Sequence, residues 1–280
     1  MNRQRFFLTC LFIIFLVGCS SSVPTPLSSP TAIPSPSPTI TPMPVCNEAQ
    51  GHFEFHEIQT SHMTHPLSLR IYLPACYGAD ASQRYPVLYL LHGQSFRDDQ
   101  WDRLGADETL DSLLAADLVP PFIIVMPKES NYSINQWDSK YGPALAEDLV
   151  PWVDAHYQTK TERVYRAIGG ISRGAGWAMR TALIYWQVYS IVGAHSFAPF
   201  RGDFNAAPLW IREIPTGELP SIWIDVGDRD FIKDAARVWK NRLDDYDVPH
   251  EWHILPGAHD EIYWSSQVDT YLRWYASHWQ

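Results

Sequence analysis

The sequence predicts an α/β fold: a mostly parallel, doubly wound sheet with an N-terminal antiparallel hairpin at one edge. Three observations lead there. Short apolar runs rich in β-branched residues recur through the chain, as expected of strands buried on both faces. Segments of ten to fifteen residues with helical periodicity lie between them, the alternation that builds parallel βαβ units. The first two extended segments instead alternate apolar and polar residues, as half-exposed antiparallel strands do.

Taken in order, residues 52–60 and 67–73 read as the edge hairpin. Pro86 to Leu91 (Pro-Val-Leu-Tyr-Leu-Leu) is a continuous apolar run and reads as a central strand, with a second at 122–126. Further strands are expected at 164–168, 190–194, 221–226 and 251–255. Helical patterns cover 104–114, the face marked by Leu145, Leu149, Trp152 and Val153, then 175–186, 232–246 and 262–278. Pro151 sits inside the second of these and should bend it, because proline cannot donate the helical hydrogen bond. No internal repeat is visible, and residues 196–220 read as a loop.

The chain divides into three parts. Residues 1–18 form a signal-type segment: Arg3 and Arg5 precede an apolar core, Phe6 to Val17, too short to span a bilayer comfortably. It ends in Leu16-Val17-Gly18-Cys19, which resembles the lipobox of bacterial lipoproteins and makes Cys19 the expected lipidation site. A lipid on Cys19 would anchor the protein at the cell envelope without a spanning helix. Residues 19–45 are dominated by Ser, Thr and repeated Pro, a composition that cannot bury a core and favours an extended tether. Residues 46–280 are long enough for one large α/β domain. A net charge of −10, with no basic run in that domain, argues against a nucleic-acid partner. Cys46 and Cys76 remain as an even pair in an exported domain, so a disulfide between them is expected.

Function in doubly wound sheets gathers in loops past the carboxyl ends of strands. Four groups stand at such places: His92-Gly93-Gln94, Gly170-Ile171-Ser172-Arg173-Gly174, Gly227-Asp228-Arg229-Asp230, and Pro256-Gly257-Ala258-His259. The second is a G-x-S-x-G sequence between a strand and a helix, the setting of a nucleophile elbow. Serine, acidic residue and histidine follow in the chain order of α/β-hydrolases.

With these motifs, the stretch from about Arg70 to Trp264 resembles the esterase family that contains enterochelin esterases, feruloyl and acetyl xylan esterases, S-formylglutathione hydrolases and mycolyltransferases. The resembling residues are Ile71-Tyr72-Leu73-Pro74, Tyr85 through Gly93, the elbow, Gly227-x-x-Asp230, and Gly257-x-His259-Asp260 with Tyr263-Trp264. The resemblance implies an α/β-hydrolase fold and a serine esterase. It is specific to the fold family and not to a substrate.

Ser172 is the expected nucleophile, and His259 the expected general base and then acid, because a serine hydroxyl attacks only when a base removes its proton. His195 and His253 compete for that role; His253 lies within a strand and His195 precedes the acid in sequence. The resemblance places the acid at Asp230, preferred over Asp228, with Asp225 inside the strand. Asp230 also stands where a helix N-cap would. The oxyanion hole is expected from the backbone N–H groups of Arg173, at a helix N-terminus, and Gln94. The resemblance implies that His92 shapes the Gln94 loop. Trp101, Trp137, Trp177 and Trp264 are candidates either to stack on a sugar or aryl group or to pack. No metal site is expected, the histidines at 52, 56, 62 and 65 offering no ligand geometry, and no cofactor.

The expected function is therefore an extracytoplasmic serine carboxylesterase acting on acyl or aryl esters of the acetyl or feruloyl type, on small molecules or acylated polysaccharides. An acyltransferase of the same family and a non-catalytic binding domain on a hydrolase scaffold are the alternatives. S-formylglutathione, a cytosolic thioester, does not suit a lipoprotein.

Overall fold

A computed structural model describes Cys46 and residues 48–280. The signal segment, Cys19 and the Ser/Thr/Pro stretch lie outside the described residues.

Among the described residues, eight strands form one sheet: β1 (His52–Ile58), β2 (Leu67–Leu73), β3 (Val87–Leu91), β4 (Ile123–Pro127), β5 (Arg166–Ile171), β6 (Ile191–His195), β7 (Ser221–Gly227) and β8 (Glu251–Leu255). Their spatial order is β1-β2-β4-β3-β5-β6-β7-β8. β1 pairs antiparallel with β2, and β2 antiparallel with β4; all other neighbours are parallel. The edge hairpin and the doubly wound sheet are thus present as expected. Helices α1 (Gln100–Arg103), α2 (Ala106–Ala115), α3 (Tyr141–Pro143), α4 (Val150–His156), α5 (Arg173–Ile184), α6 (Asp203–Glu213), α7 (Lys233–Asp245) and α8 (Glu261–Ser277) fill the connections.

Side chains alternate between the two faces of each strand. Val87, Tyr89 and Leu91 of β3 join a core with Leu145, Leu149, Met179, Ile211 and Trp239 from the α4, α5, α6 and α7 side. Leu88 and Leu90 point the other way and pack with Leu110 and Leu113 of α2 and with Tyr271 and Leu272 of α8.

Two features depart from the sequence expectation. Residues 141–156 form one continuous helical run, and the irregularity expected at Pro151 is a π-helical stretch, Ala144–Leu149, immediately before it, whose wider turn goes with a residue that cannot donate the helical hydrogen bond. And α6 stands where a loop was expected. Pro208 masks its periodicity but is tolerated inside it, while Ala207 and Ile211 are buried against the core.

Cys46 and Cys76 form the expected disulfide, with Cα atoms 5.7 Å apart. It fastens the start of the domain to the end of β2. Among the described residues no helix is long and apolar enough to cross a membrane.

After β3 the chain turns to one side to form β4 and then returns to the other side of β3 to form β5. This reversal leaves a crevice at the carboxyl ends of β3 and β5, the place where such sheets bind ligands. Gly93-Gln94 and Ser172 sit there.

Candidate active site

The turn from β5 into α5 puts Ser172 at φ 56°, ψ −115°, a backbone conformation an L-residue adopts only under strain. Its N–H donates to the carbonyl of His195 on the neighbouring strand, 2.9 Å. The flanking glycines are required by contact. A Cβ on Gly170 would lie 2.4 Å from the Gly174 carbonyl carbon, and one on Gly174 2.4 Å from the Leu91 carbonyl oxygen. The helix can therefore start directly above the sheet only if both positions lack a side chain.

Ser172 Oγ is 2.9 Å from His259 Nε2. On the other side of the ring, Nδ1 lies 3.0 and 2.9 Å from the two oxygens of Asp230. A carboxylate can only accept, so this assigns the proton to Nδ1 and leaves Nε2 free to accept from the serine hydroxyl. Burial pushes the Asp230 carboxyl up, but hydrogen bonds from His259 and from the Ile232 N–H outweigh it and hold it below the usual carboxylate range. Asp230 is thus ionised at neutral pH, suited to keep the tautomer and to stabilise an imidazolium.

Asp228 does not reach His259. It accepts from the Gly257 N–H at 2.9 Å, while the Asp228 N–H donates to Leu255 O and the Arg229 N–H to Gly257 O, at 2.7 and 2.9 Å. These bonds join the loops after β7 and β8, which is how a histidine beyond β8 is carried back towards β5. Asp225 and His195 form a separate pair, completely buried, with Nδ1 2.7 Å from Oδ1. Asp225 also accepts from Trp223, Tyr263 and Tyr271, and His195 Nε2 meets the Tyr275 hydroxyl at 3.0 Å. Both ring nitrogens of His195 are therefore occupied away from Ser172. Gly169 and Gly193, side by side in β5 and β6, leave the room for that hydroxyl, which would overlap a Cβ at either position at 1.8 Å. His253 stacks on Trp223, 3.8 Å between centroids, as packing.

The open groove around Ser172 has a volume of about 510 Å³, and its lining includes Gln94, Phe96, Phe231, His259 and Trp264. Among the described residues, the backbone N–H groups of Gln94 and Arg173 donate to no backbone carbonyl. They stand after β3 and at the first position of α5, on adjacent strand ends. A smaller cavity of about 170 Å³, lined by His62, Met63, Ile134 and Tyr141 among others, does not include Ser172.

Of the four candidate tryptophans, Trp264 alone lines the groove; it is itself only 2% exposed and is held by its N–H to Ser196 Oγ at 2.8 Å. Trp101 and Trp177 are buried, and Trp101 bonds the Leu91 carbonyl at 3.1 Å. Trp137 lies against Arg180 and Trp210, outside the groove. His52 and His56 lie near Glu54, and His62 near Glu147. The one described cluster close enough to share an ion is Cys46, Glu48 and Cys76, whose sulfurs are committed to the disulfide.

Several residues around the site had no motif to mark them. Gln100 accepts from the Gly93 N–H at 2.7 Å, and Glu129 pairs with Arg173. Glu129 could have been noticed, since it follows the carboxyl end of β4; Gln100 could not, because only the fold brings it to the loop.

The family model described as "Putative esterase" matches residues 60–275. The chain belongs to this family. An esterase of Mycobacterium tuberculosis strain H37Rv is 27% identical over 270 residues, covering 76% of this chain and 57% of its own length. The chain thus spans little more than half of that relative. An endo-1,4-beta-xylanase/feruloyl esterase of Xylanibacter ruminicola is 34% identical over 144 residues, 43% of this chain and 19% of that protein. Among solved structures, a ferulic acid esterase superposes with a TM-score of 0.73 at 22% identity, covering 82% of this chain and 99% of that one. An S-formylglutathione hydrolase from Staphylococcus aureus gives 0.64 at 17%, covering 81% and 98%. At these identities the likeness to solved structures shows the α/β-hydrolase fold.

Proposed function

We propose that this protein is a serine carboxylesterase working outside the cytoplasm. The observation that carries the reading is the unbroken hydrogen-bonded line from Ser172 Oγ through His259 to Asp230, at 2.9 Å on either side of the ring, opening into a solvent-accessible groove.

In this reading an ester carbonyl enters the groove and Ser172 Oγ attacks it as His259 Nε2 takes the hydroxyl proton. Asp230 stabilises the resulting imidazolium. The Gln94 and Arg173 N–H groups receive the oxyanion, with the α5 dipole adding to the Arg173 contribution. His259 then protonates the departing alcohol. Water enters, His259 removes its proton, and the acyl-enzyme is hydrolysed.

The substrates we propose are acetyl or feruloyl-type esters, including those on polysaccharides. Phe96, Phe231 and Trp264 around the serine favour a flat acyl or alcohol group, and a feruloyl esterase is among the relatives. We further propose that lipidation at Cys19 and the tether of residues 19–45 hold residues 46–280 at the cell envelope.

The test is turnover of p-nitrophenyl acetate, methyl ferulate and acetylated xylan by the purified protein, with Ser172→Ala as control. Turnover and fluorophosphonate labelling that both vanish in the folded variant support the reading. Absence of both in the wild-type protein sinks it. Cys19→Ser should move the protein from the membrane to the soluble fraction.

A further inference from the structure

A charged side chain, only 13% exposed, follows Ser172 directly and takes no part in the proposed chemistry. Arg173 turns away from the groove. Its Nε and one terminal nitrogen each lie 2.7 Å from an oxygen of Glu129, a bidentate pair in which the Glu129 side chain is 4% exposed. Phe200, Tyr132 and Trp177 enclose the guanidinium at 5.2, 5.8 and 5.9 Å from ring centroids. A charge pair this enclosed is costly to assemble and holds its members in one geometry.

Glu129 is tied in turn to the other side of the crevice. Its backbone N–H donates to His92 Nε2 at 2.9 Å, and His92 Nδ1 lies 2.8 Å from the Gly93 carbonyl. A carbonyl only accepts, so His92 carries its proton on Nδ1 and accepts at Nε2. Burial pushes the His92 imidazole down, which keeps it in this neutral, one-donor one-acceptor form. The Gly93 carbonyl and the Gln94 N–H belong to one trans peptide and point in opposite directions. Fixing the carbonyl on His92 therefore aims the Gln94 N–H the other way.

We propose that Arg173, Glu129 and His92 form a brace that sets the two oxyanion donors, the N–H groups of Gln94 and Arg173, at a fixed separation. The brace runs from the Gly93–Gln94 peptide through His92 to Glu129, and from there to Arg173 on α5. None of the three side chains touches substrate; all are positioning residues. This rests on the esterase reading, since it gives the donors their purpose.

The brace acts on the step in which negative charge develops, so it should affect kcat rather than substrate binding. Removing an oxyanion donor outright costs about 10²–10³-fold in kcat; misaligning two should cost roughly 10- to 100-fold. Arg173→Met, Arg173→Lys and Glu129→Gln are to be compared with the wild-type protein on p-nitrophenyl acetate. Inhibition by a trifluoromethyl ketone, which forms a serine adduct bearing an oxyanion, is measured in parallel. For Arg173→Met the expected result is that loss in kcat, KM within about twofold, and an inhibition constant raised by the same factor as kcat falls. Glu129→Gln, which keeps the shape, should show a smaller loss of the same kind, and Arg173→Lys an intermediate one. A merely structural role would lower the melting temperature without linking kcat to ketone affinity.

A folded Arg173→Met protein with kcat and ketone inhibition within about twofold of wild type overturns the brace, as does a loss confined to KM. Should Arg173→Met not fold, Glu129→Gln decides by the same two readouts. A wild-type protein without turnover overturns the esterase reading and this role with it; wild-type turnover with unimpaired variants overturns this role alone.

Discussion

Asp230 presents both carboxylate oxygens to Nδ1 of His259, at 3.0 and 2.9 Å, whereas Asp228, two residues earlier, gives its carboxylate to the Gly257 N–H at 2.9 Å. The two carboxylates thus hold one histidine in different ways, Asp230 through the ring and Asp228 through the loop.

This division makes a direct prediction. Asp230→Asn should fold and lower kcat by roughly 10³–10⁴-fold, because an amide N–H facing Nδ1 favours the wrong imidazole tautomer. Asp228→Asn retains an acceptor oxygen for Gly257 and should lose less than about tenfold. Steady-state kinetics of the two variants on p-nitrophenyl acetate separates them; equal losses would contradict the assignment.

The elbow is sterically closed. Gly174→Ala places a methyl 2.4 Å from the Leu91 carbonyl oxygen and 2.6 Å from that of His92. Both neighbours are backbone at the centre of the sheet, so the strain cannot be relieved by a rotamer change. A loss of about 3 kcal/mol or more is expected, at or beyond the upper end for overpacking, together with loss of activity. Urea denaturation measures it, and a variant as stable as wild type would show that α5 can shift.

The buried His195–Asp225 pair should make the fold acid-sensitive. Burial raises the Asp225 carboxyl, but His195, Tyr263 and Tyr271 together hold it below its ordinary value. A carboxyl depressed in the folded state contributes stability that is fully present above the unfolded value, about 3.9, and is lost as pH falls through the folded value. Acid unfolding is therefore expected to steepen below about pH 4. Asp225→Asn should cost about 3–5 kcal/mol at neutral pH, the cost of breaking a buried pair by removing one partner, and should flatten that acid limb. Denaturation followed across pH checks both.

The Cys46–Cys76 disulfide closes a loop with a sequence separation of 30. Loop-closure entropy gives a stabilisation of about 3–4 kcal/mol. Cys46→Ser/Cys76→Ser should show it as a lower urea midpoint with turnover unchanged, since the end of β2 lies beside the amino end of β4, with Tyr72 opposite Ile124, and so at the other end of the sheet from the carboxyl strand ends that carry Ser172.

Each triad candidate falls beside a strand end the sequence already indicated, because continuous apolar runs mark central strands and glycine-rich turns follow them. Asp230 and Asp228 were not separable by spacing: both stand in the turn after β7, and which one faces His259 depends on how that turn crosses the loop after β8. The helix at Asp203–Glu213 was hidden by Pro208, and the burial of Trp101 and Trp177 by their place in the chain near the site. In these cases the deciding contacts come from residues remote in sequence.

By itself, then, the chain determined its alternation of strands and helices, its edge hairpin, its family and the identity of Ser172 and His259 as candidates. These are written in local patterns: periodicity, glycine spacing, and residues at strand ends. Tertiary structure decided which carboxylate meets His259, that Glu129 pairs with Arg173, and that His195 joins Asp225 in the core. The physical reason is direction. A sequence fixes which atoms a residue carries and on which face its Cβ starts, but a hydrogen bond needs two groups aligned within a fraction of an ångström. That alignment is set only once β3, β5, β7 and β8 lie side by side.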